Sequence, residues 1–218
     1  MKLIRVMCSG RVDFSHVIKA FSNGADGVYI GGCHFGDCHY ITNGNYSALG
    51  NVYILKKIME RIGLNPDRLR MECTSAGEGI RFAEIMNEYC TQLKTIGPLG
   101  ASEGIDAATL KAKLEAVTKI IPFIRLVERE RLRMPVKSEE AYHAFFTGEM
   151  FNKIFEETIG EKLAIAQIVS LLREKPLTTA EIAAATGLTP SEVSKHLNAS
   201  ARQKFIRFDE ELKRYALA

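Results

Sequence analysis

Gly27-Val28-Tyr29-Ile30-Gly31-Gly32-Cys33-His34-Phe35-Gly36-Asp37-Cys38-His39-Tyr40 joins a short apolar run to a loop of thiols, imidazoles and glycines. The run from Gly27 to Ile30 has the length and apolar content of a buried strand. The loop after it has the composition of a site rather than of a core. Thiolates and imidazoles are the ligands that iron and zinc select. Glycines let the backbone approach an inorganic centre closely. A Cys-x4-Cys pair also opens the plant-type ferredoxin spacing. The stretch therefore reads as a strand that delivers a metal or iron–sulfur loop.

Upstream, residues 2–7 are β-rich and predict a first strand ending at Cys8. Ser9-Gly10-Arg11-Val12-Asp13 is a turn in which Asp13 caps a helix over 14–22, and Arg11 and Asp13 are candidates for a local ion pair. Downstream, the spacing predicts a helix over 46–62, stopped by Gly63, then a third strand over 68–73 and a helix over 80–95. Gly97-Pro98-Leu99-Gly100 closes the unit. Alternating strands and helices imply an α/β fold: a small parallel sheet with flanking helices, flavodoxin-like or Rossmann-like, built with right-handed crossovers. Sites in such sheets lie beyond the carboxyl ends of the strands. That rule brings Cys8, Cys33, Cys38 and Cys73 to one sheet edge, and four thiolates are the usual complement of an iron–sulfur cluster. Cys90, in the last of these helices near its apolar face, reads as a small buried hydrophobe.

The remaining sequence divides at two points. Residues 1–100 form the thiol-bearing domain, 101–160 a helical linker and 161–218 a second domain. Within the linker a helix is expected over 107–120, the charged stretch from Arg125 to Arg133 reads as a solvated helix face, and Pro135 and Ser138 bracket a break. The composition is that of a globular protein, with 46% hydrophobic and 25% charged residues and a net charge of +3. That charge is too small to argue for nucleic acid by itself. No apolar run reaches the roughly 18–20 residues of a membrane helix, and Met1 to Cys8 does not have the form of a signal peptide. A cytoplasmic setting follows, in which the five cysteines serve as ligands or reduced thiols rather than disulfides.

From Glu161 the pattern becomes compact and helical. The run from Leu177 to Leu197 resembles the helix-turn-helix of winged-helix proteins. Thr178 or Thr179 caps its first helix, Ala183 is small at the helix crossing, and Gly187 makes the turn. Thr189 caps the second helix and Pro190 takes the first helical position. Residues 204–208 and 212–216 then predict the two strands of a wing, completing an α+β winged-helix domain. Ser191, Ser194, Lys195, Asn198 and Arg202 lie where a recognition helix meets bases and phosphates. Against nucleic acid, residues 161–218 carry nine Lys and Arg and seven Asp and Glu, about +2 net, and Asp209-Glu210-Glu211 at the wing tip would repel phosphate. The fold also serves in protein docking.

A second resemblance rests on several motifs together. Met7-Cys8-Ser9-Gly10-Arg11-Val12-Asp13, Gly24-Ala25-Asp26-Gly27-Val28, Gly32 to Tyr40, Gly44-Asn45, Ser75-Ala76 with Glu78-Gly79, and Gly97-Pro98-Leu99-Gly100 resemble the delta subunit of methyl-viologen-reducing hydrogenase over about residues 3–100. The resemblance implies a [2Fe–2S] cluster and a role in relaying electrons rather than making bonds. The implied partners are a hydrogenase or formate dehydrogenase on one side and the flavin-bearing, iron–sulfur subunit of a heterodisulfide reductase on the other. It implies Cys8, Cys33 and Cys38 as ligands. The family pattern has a further Cys-x-x-Cys pair ahead of Met7-Cys8, which is not in this sequence, and usually an aromatic residue at position 73. Cys73 is therefore expected as a replacement fourth ligand, with His34 or His39 as the alternative, as in Rieske-type centres. Two functional expectations follow: an electron-transfer subunit whose winged helix is a docking module, or a redox-responsive regulator whose winged helix binds DNA.

Overall fold

A computed structural model describes residues 1–202 and 205–218. Its first unit holds helix α1 (Phe14–Ser22), strand β1 (Val28–Gly32), helix α2 (Asn45–Arg61), strand β2 (Leu69–Cys73) and helix α3 (Gly79–Ile96). β1 and β2 pair in parallel with α2 as the crossover, in a register that sets Val28 opposite Leu69, Ile30 opposite Met71 and Gly32 opposite Cys73. Both strands therefore end at the same sheet edge, where the site was expected.

Residues 2–7 do not form the expected strand. They make no ladder with β1, and Leu3 and Ile4 are more than four-fifths exposed. A strand at a sheet edge must bury one face to offset the cost of ordering its backbone. Nothing among the described residues covers this segment, so the observed sheet has two strands where the sequence predicted three.

α2 is the axis of the first unit. Gly50, Val52, Ile54, Leu55, Ile58 and Met59 are all buried, around more than half the helix circumference, as in a helix packed from several sides. It stops where expected: Gly63 takes φ of +82°, and the Leu64 amide returns to the Met59 carbonyl. Arg68 is fully buried and clamps the Gly97–Gly100 turn. Its guanidinium meets Glu103 at 2.6 Å and donates to the carbonyls of Gly97 and Asp26.

Helix α4 (Ala107–Val127) is longer than expected, continues into a π turn at Glu128–Leu132, and lays Leu114, Val117, Ile121 and Ile124 into the first core. Helices α5 (Glu139–Thr147) and α6 (Glu149–Phe155) add Tyr142, Phe146, Phe151 and Phe155 to that core. The charged face is solvated at Arg125, Arg129 and Arg131. Asp13 does not pair with Arg11. It caps α1 through the Ser15 amide and binds Arg125 of α4, which holds its carboxyl well below the usual range.

Helix α7 (Glu161–Glu174) faces two ways. Leu163 joins the first core, while Ala164, Ile168 and Leu172 join a second with Leu177, Ile182, Leu188, Val193, Leu197 and Ile206. Around that second core lie α8 (Thr179–Thr186), α9 (Pro190–Arg202) and the antiparallel hairpin β3 (Ile206–Asp209) and β4 (Arg214–Leu217). A bridge between Leu177 and Tyr215 ties the hairpin to the helices, completing the winged helix. Lys204, expected to start the wing, lies outside the described residues. No helix is long and apolar enough to cross a membrane among the described residues.

Candidate functional site

Four short segments meet beyond the ends of β1 and β2. Cys8 is extended and precedes a tight turn at Ser9–Arg11. Cys33 follows β1 directly, Cys38 is buried in the next turn, and Cys73 closes β2 opposite Gly32. Glycine makes this approach feasible. A Cβ on Gly44 would lie 2.2 Å from Cys38 Sγ, and one on Gly10 would lie 2.1 Å from the Asn43 carbonyl oxygen.

The structure brings three of the four predicted thiols together. Cys38 Sγ faces the thiols of Cys33 and Cys8 and the main-chain amides of Asn45 and Tyr40. Burial alone would push the Cys38 thiol up, but those amides and thiols outweigh it and leave it below its ordinary value. Cys33 moves the other way: burial, then the neighbouring Cys38, raise it.

Cys73 stands at the same edge, opposite the residue before Cys33. Burial first, then the Glu139 carboxylate and the Cys33 thiol, push it up to about 11. It is therefore a protonated thiol at neutral pH. Among the described residues no group of three or more His, Cys, Asp or Glu side chains is arranged to hold a single metal ion. Cys90 is exposed, contrary to the expectation of a buried hydrophobe. The buried stripe of α3 runs through Ile85 and Tyr89, and Cys90 lies one residue beyond Tyr89, about 100° round the helix.

The two histidines part company. His34 Nε2 lies 2.6 Å from Glu78 Oε2, tying the thiol loop to the turn after β2. Glu78 also accepts from the Ser75 amide at 2.7 Å, and that bond and His34 lower its carboxyl to about 2. His39 is exposed and stacks edge-on against Tyr40.

Asn45, the first residue of α2, carried no assigned role in the sequence, although its Gly44-Asn45 motif was visible. It is 1% exposed, and its Nδ2 donates to the carbonyls of Cys33 and His34, each at 3.0 Å. Its Oδ1 and the hydroxyl of Ser9 are buried without a partner. Buried polar atoms of this kind call for a partner such as an ordered water or ion.

On the winged helix, Ser191, Lys195, Asn198 and Arg202 are exposed along α9, and Ser194 is half-buried. Two acid contacts reach this helix: Lys195 meets Glu161 at 3.5 Å, and Glu192 meets Arg61 of α2 at 3.4 Å.

A parallel α/β unit with thiols gathered at its strand ends, joined through shared helices to a winged helix, defines a thiol-bearing α/β domain carrying a helix-turn-helix module. Comparison with known proteins agrees for both parts. Residues 1–97 match the model of the family described as methyl-viologen-reducing hydrogenase, delta subunit. The iron-sulfur subunit of the F420-non-reducing hydrogenase of Archaeoglobus profundus is 47% identical over 98 residues, 45% of this chain and 71% of that protein. The iron-sulfur subunit of the vhc F420-non-reducing hydrogenase of Methanococcus voltae is 45% identical over 103 residues, 47% of this chain and 71% of that protein. The same segment recurs in a much larger protein from Methanosarcina acetivorans, one subunit of its ferredoxin/F420H2-dependent CoB-CoM heterodisulfide reductase. The two are 46% identical over 101 residues, 46% of this chain but 13% of that one. This chain belongs to the delta-subunit family of methyl-viologen-reducing hydrogenase. Residues 166–199 match a second family, bacterial regulatory proteins of the arsR family.

Proposed function

We propose that this chain is an iron–sulfur electron-transfer subunit, relaying electrons between a hydrogenase or formate dehydrogenase and a flavin-bearing subunit of the heterodisulfide-reductase type. The observation that carries the reading is the meeting of Cys8, Cys33 and Cys38 at the strand ends of the unit that matches the family. The names of its relatives support the partners: one is a hydrogenase iron-sulfur subunit, another belongs to a heterodisulfide reductase.

The donor set suits a [2Fe–2S] cluster. Thiols are the ligands such clusters take, and two orphaned polar atoms and a glycine cradle surround them. Cys8, Cys33 and Cys38 would hold it, with Cys73 as fourth ligand once its proton leaves. The cluster supplies a one-electron acceptor and donor. The chain would hold it at the strand ends through those thiols and leave the bond-making to its partners. We place the first unit in the flavodoxin-like or Rossmann-like group on the strength of its parallel pair and crossover helix, and the protein in the cytoplasm.

The test is anaerobic purification, followed by iron and sulfide quantification and an electron-spin resonance spectrum. Two irons and two sulfides per chain are expected. Cys38→Ala should abolish the visible absorption, and Cys90→Ala should leave it intact. A colourless, iron-free protein prepared without oxygen would overturn the proposal.

One observation favours a second reading, a redox-responsive DNA-binding regulator: the match to regulatory proteins falls on α7, α8 and α9, whose Lys195, Asn198 and Arg202 are exposed. The acidic wing tip and the Glu161 and Glu192 contacts weigh against it. Salt-dependent binding to duplex DNA would favour it, because such binding releases counterions from phosphate.

A further inference from the structure

We infer that Asn45 is a positioning residue that sets the reduction potential of the group held by Cys33 and Cys38, an inference that rests on the iron–sulfur reading above. Two of its polar groups face the thiol loop. Nδ2 binds the Cys33 and His34 carbonyls at 3.0 Å and stands 4.0 Å from Cys33 Sγ. The Asn45 main-chain amide faces Cys38 Sγ. Only Oδ1 has no partner, and it is buried.

The amide orientation is fixed by chemistry. Turning it over would set Oδ1 against two carbonyl oxygens, so the donor end must face the loop. A buried acceptor left unpaired costs roughly 1–3 kcal/mol. An apolar residue would fill the space without that cost, but it would release both carbonyls and remove the Nδ2 donor beside Cys33. Asn45 is also the first residue of a 17-residue helix whose N-cap, Gly44, lies against Cys38, so the helix's positive end sits beside that thiol. Donors and a positive dipole beside cluster sulfurs favour the more negative, reduced state and raise the potential.

The test uses the full chain, purified anaerobically, with Asn45→Asp and Asn45→Ser compared with the parent. Asp keeps the shape but loses two donors and adds charge; Ser loses the reach. Each is read for folding by circular dichroism, for iron content, and for midpoint potential by a spectroscopic redox titration. The potential should fall in both, more in Asp, by a tenfold change in the oxidised-to-reduced ratio or about 59 mV for a one-electron couple. Unchanged potentials at full iron content would overturn the inference, and so would failure of both variants to fold, which would make Asn45 purely structural. Parent protein without iron would sink the iron–sulfur reading and, with it, this role. Iron in the parent with an unshifted potential in the variants would sink this inference alone.

Discussion

The helix-turn-helix and the thiol loop both reverse the chain within a dozen residues, but by opposite means. In the former, each turn is closed by its neighbours. Thr178 and Glu181 cap α8 reciprocally, Gly187 turns at φ of +77°, and Thr189 and Glu192 cap α9 in the same way. In the latter, the closing groups come from far along the chain. His34 is held by Glu78, 44 residues on, while Gly10 packs against the backbone of Asn43 and Gly44. Locally closed turns fail one at a time. Turns closed from afar share their supports, so one substitution there disturbs several segments at once.

Gly44→Ala should have the largest effect. Its new Cβ would lie 2.2 Å from Cys38 Sγ and 2.3 Å from the Tyr40 carbonyl oxygen. Neither neighbour is the free end of a flexible chain, so the loop must move, at about 3 kcal/mol. Denaturant unfolding measures it. A loss below about 1 kcal/mol, within the range of ordinary surface changes, would show that the loop is slack and the contrast overdrawn.

Gly187→Ala probes the other region. The left-handed conformation penalises Ala, but no atom lies within 4 Å of the added Cβ. The cost should therefore be backbone strain alone, about 1 kcal/mol. It should also stay local: thiol reactivity of Cys33 and Cys38 should match the parent. Altered reactivity would join the two regions that the comparison separates.

The same difference explains what was legible in the sequence. Caps, a turn glycine and a 3.6-residue apolar period are written within a few residues of where they act, so α8 and α9 could be read with their boundaries. The parallel strands at β1 and β2 and the thiol edge followed from alternation and the strand-end rule. Residues 2–7 could not be judged, because a strand depends on what covers it, and its own β-rich composition says nothing of that. Cys90 was misplaced by one helical position, a 100° error that only a packed neighbour such as Tyr89 reveals. Asn45 and Glu78 were visible as letters in motifs, but their roles arise from contacts 11 to 44 residues apart.

The smallest effect expected is at the start of α9. The Thr189 hydroxyl accepts from the Glu192 amide at 3.3 Å, and the Glu192 carboxylate accepts from the Thr189 amide at 2.8 Å. The Thr189 amide, then its hydroxyl, hold Glu192 below the ordinary carboxylate range; Arg61 adds to them. A carboxyl lowered on folding stabilises the protein above its unfolded value of about 4.3, and loses that contribution as pH falls through the lower folded value. Thr189→Ala should therefore cost about 1 kcal/mol at neutral pH, and the gap to the parent should narrow below about pH 4. Arg61→Ala, which removes the partly exposed pairs to Glu192 and Glu156, should cost less, about 0–1 kcal/mol. If Arg61→Ala proved the costlier of the two, the first turn of α9 would be held from α2 rather than by its own cap. The helix-turn-helix would then be closed from afar, as the thiol loop is.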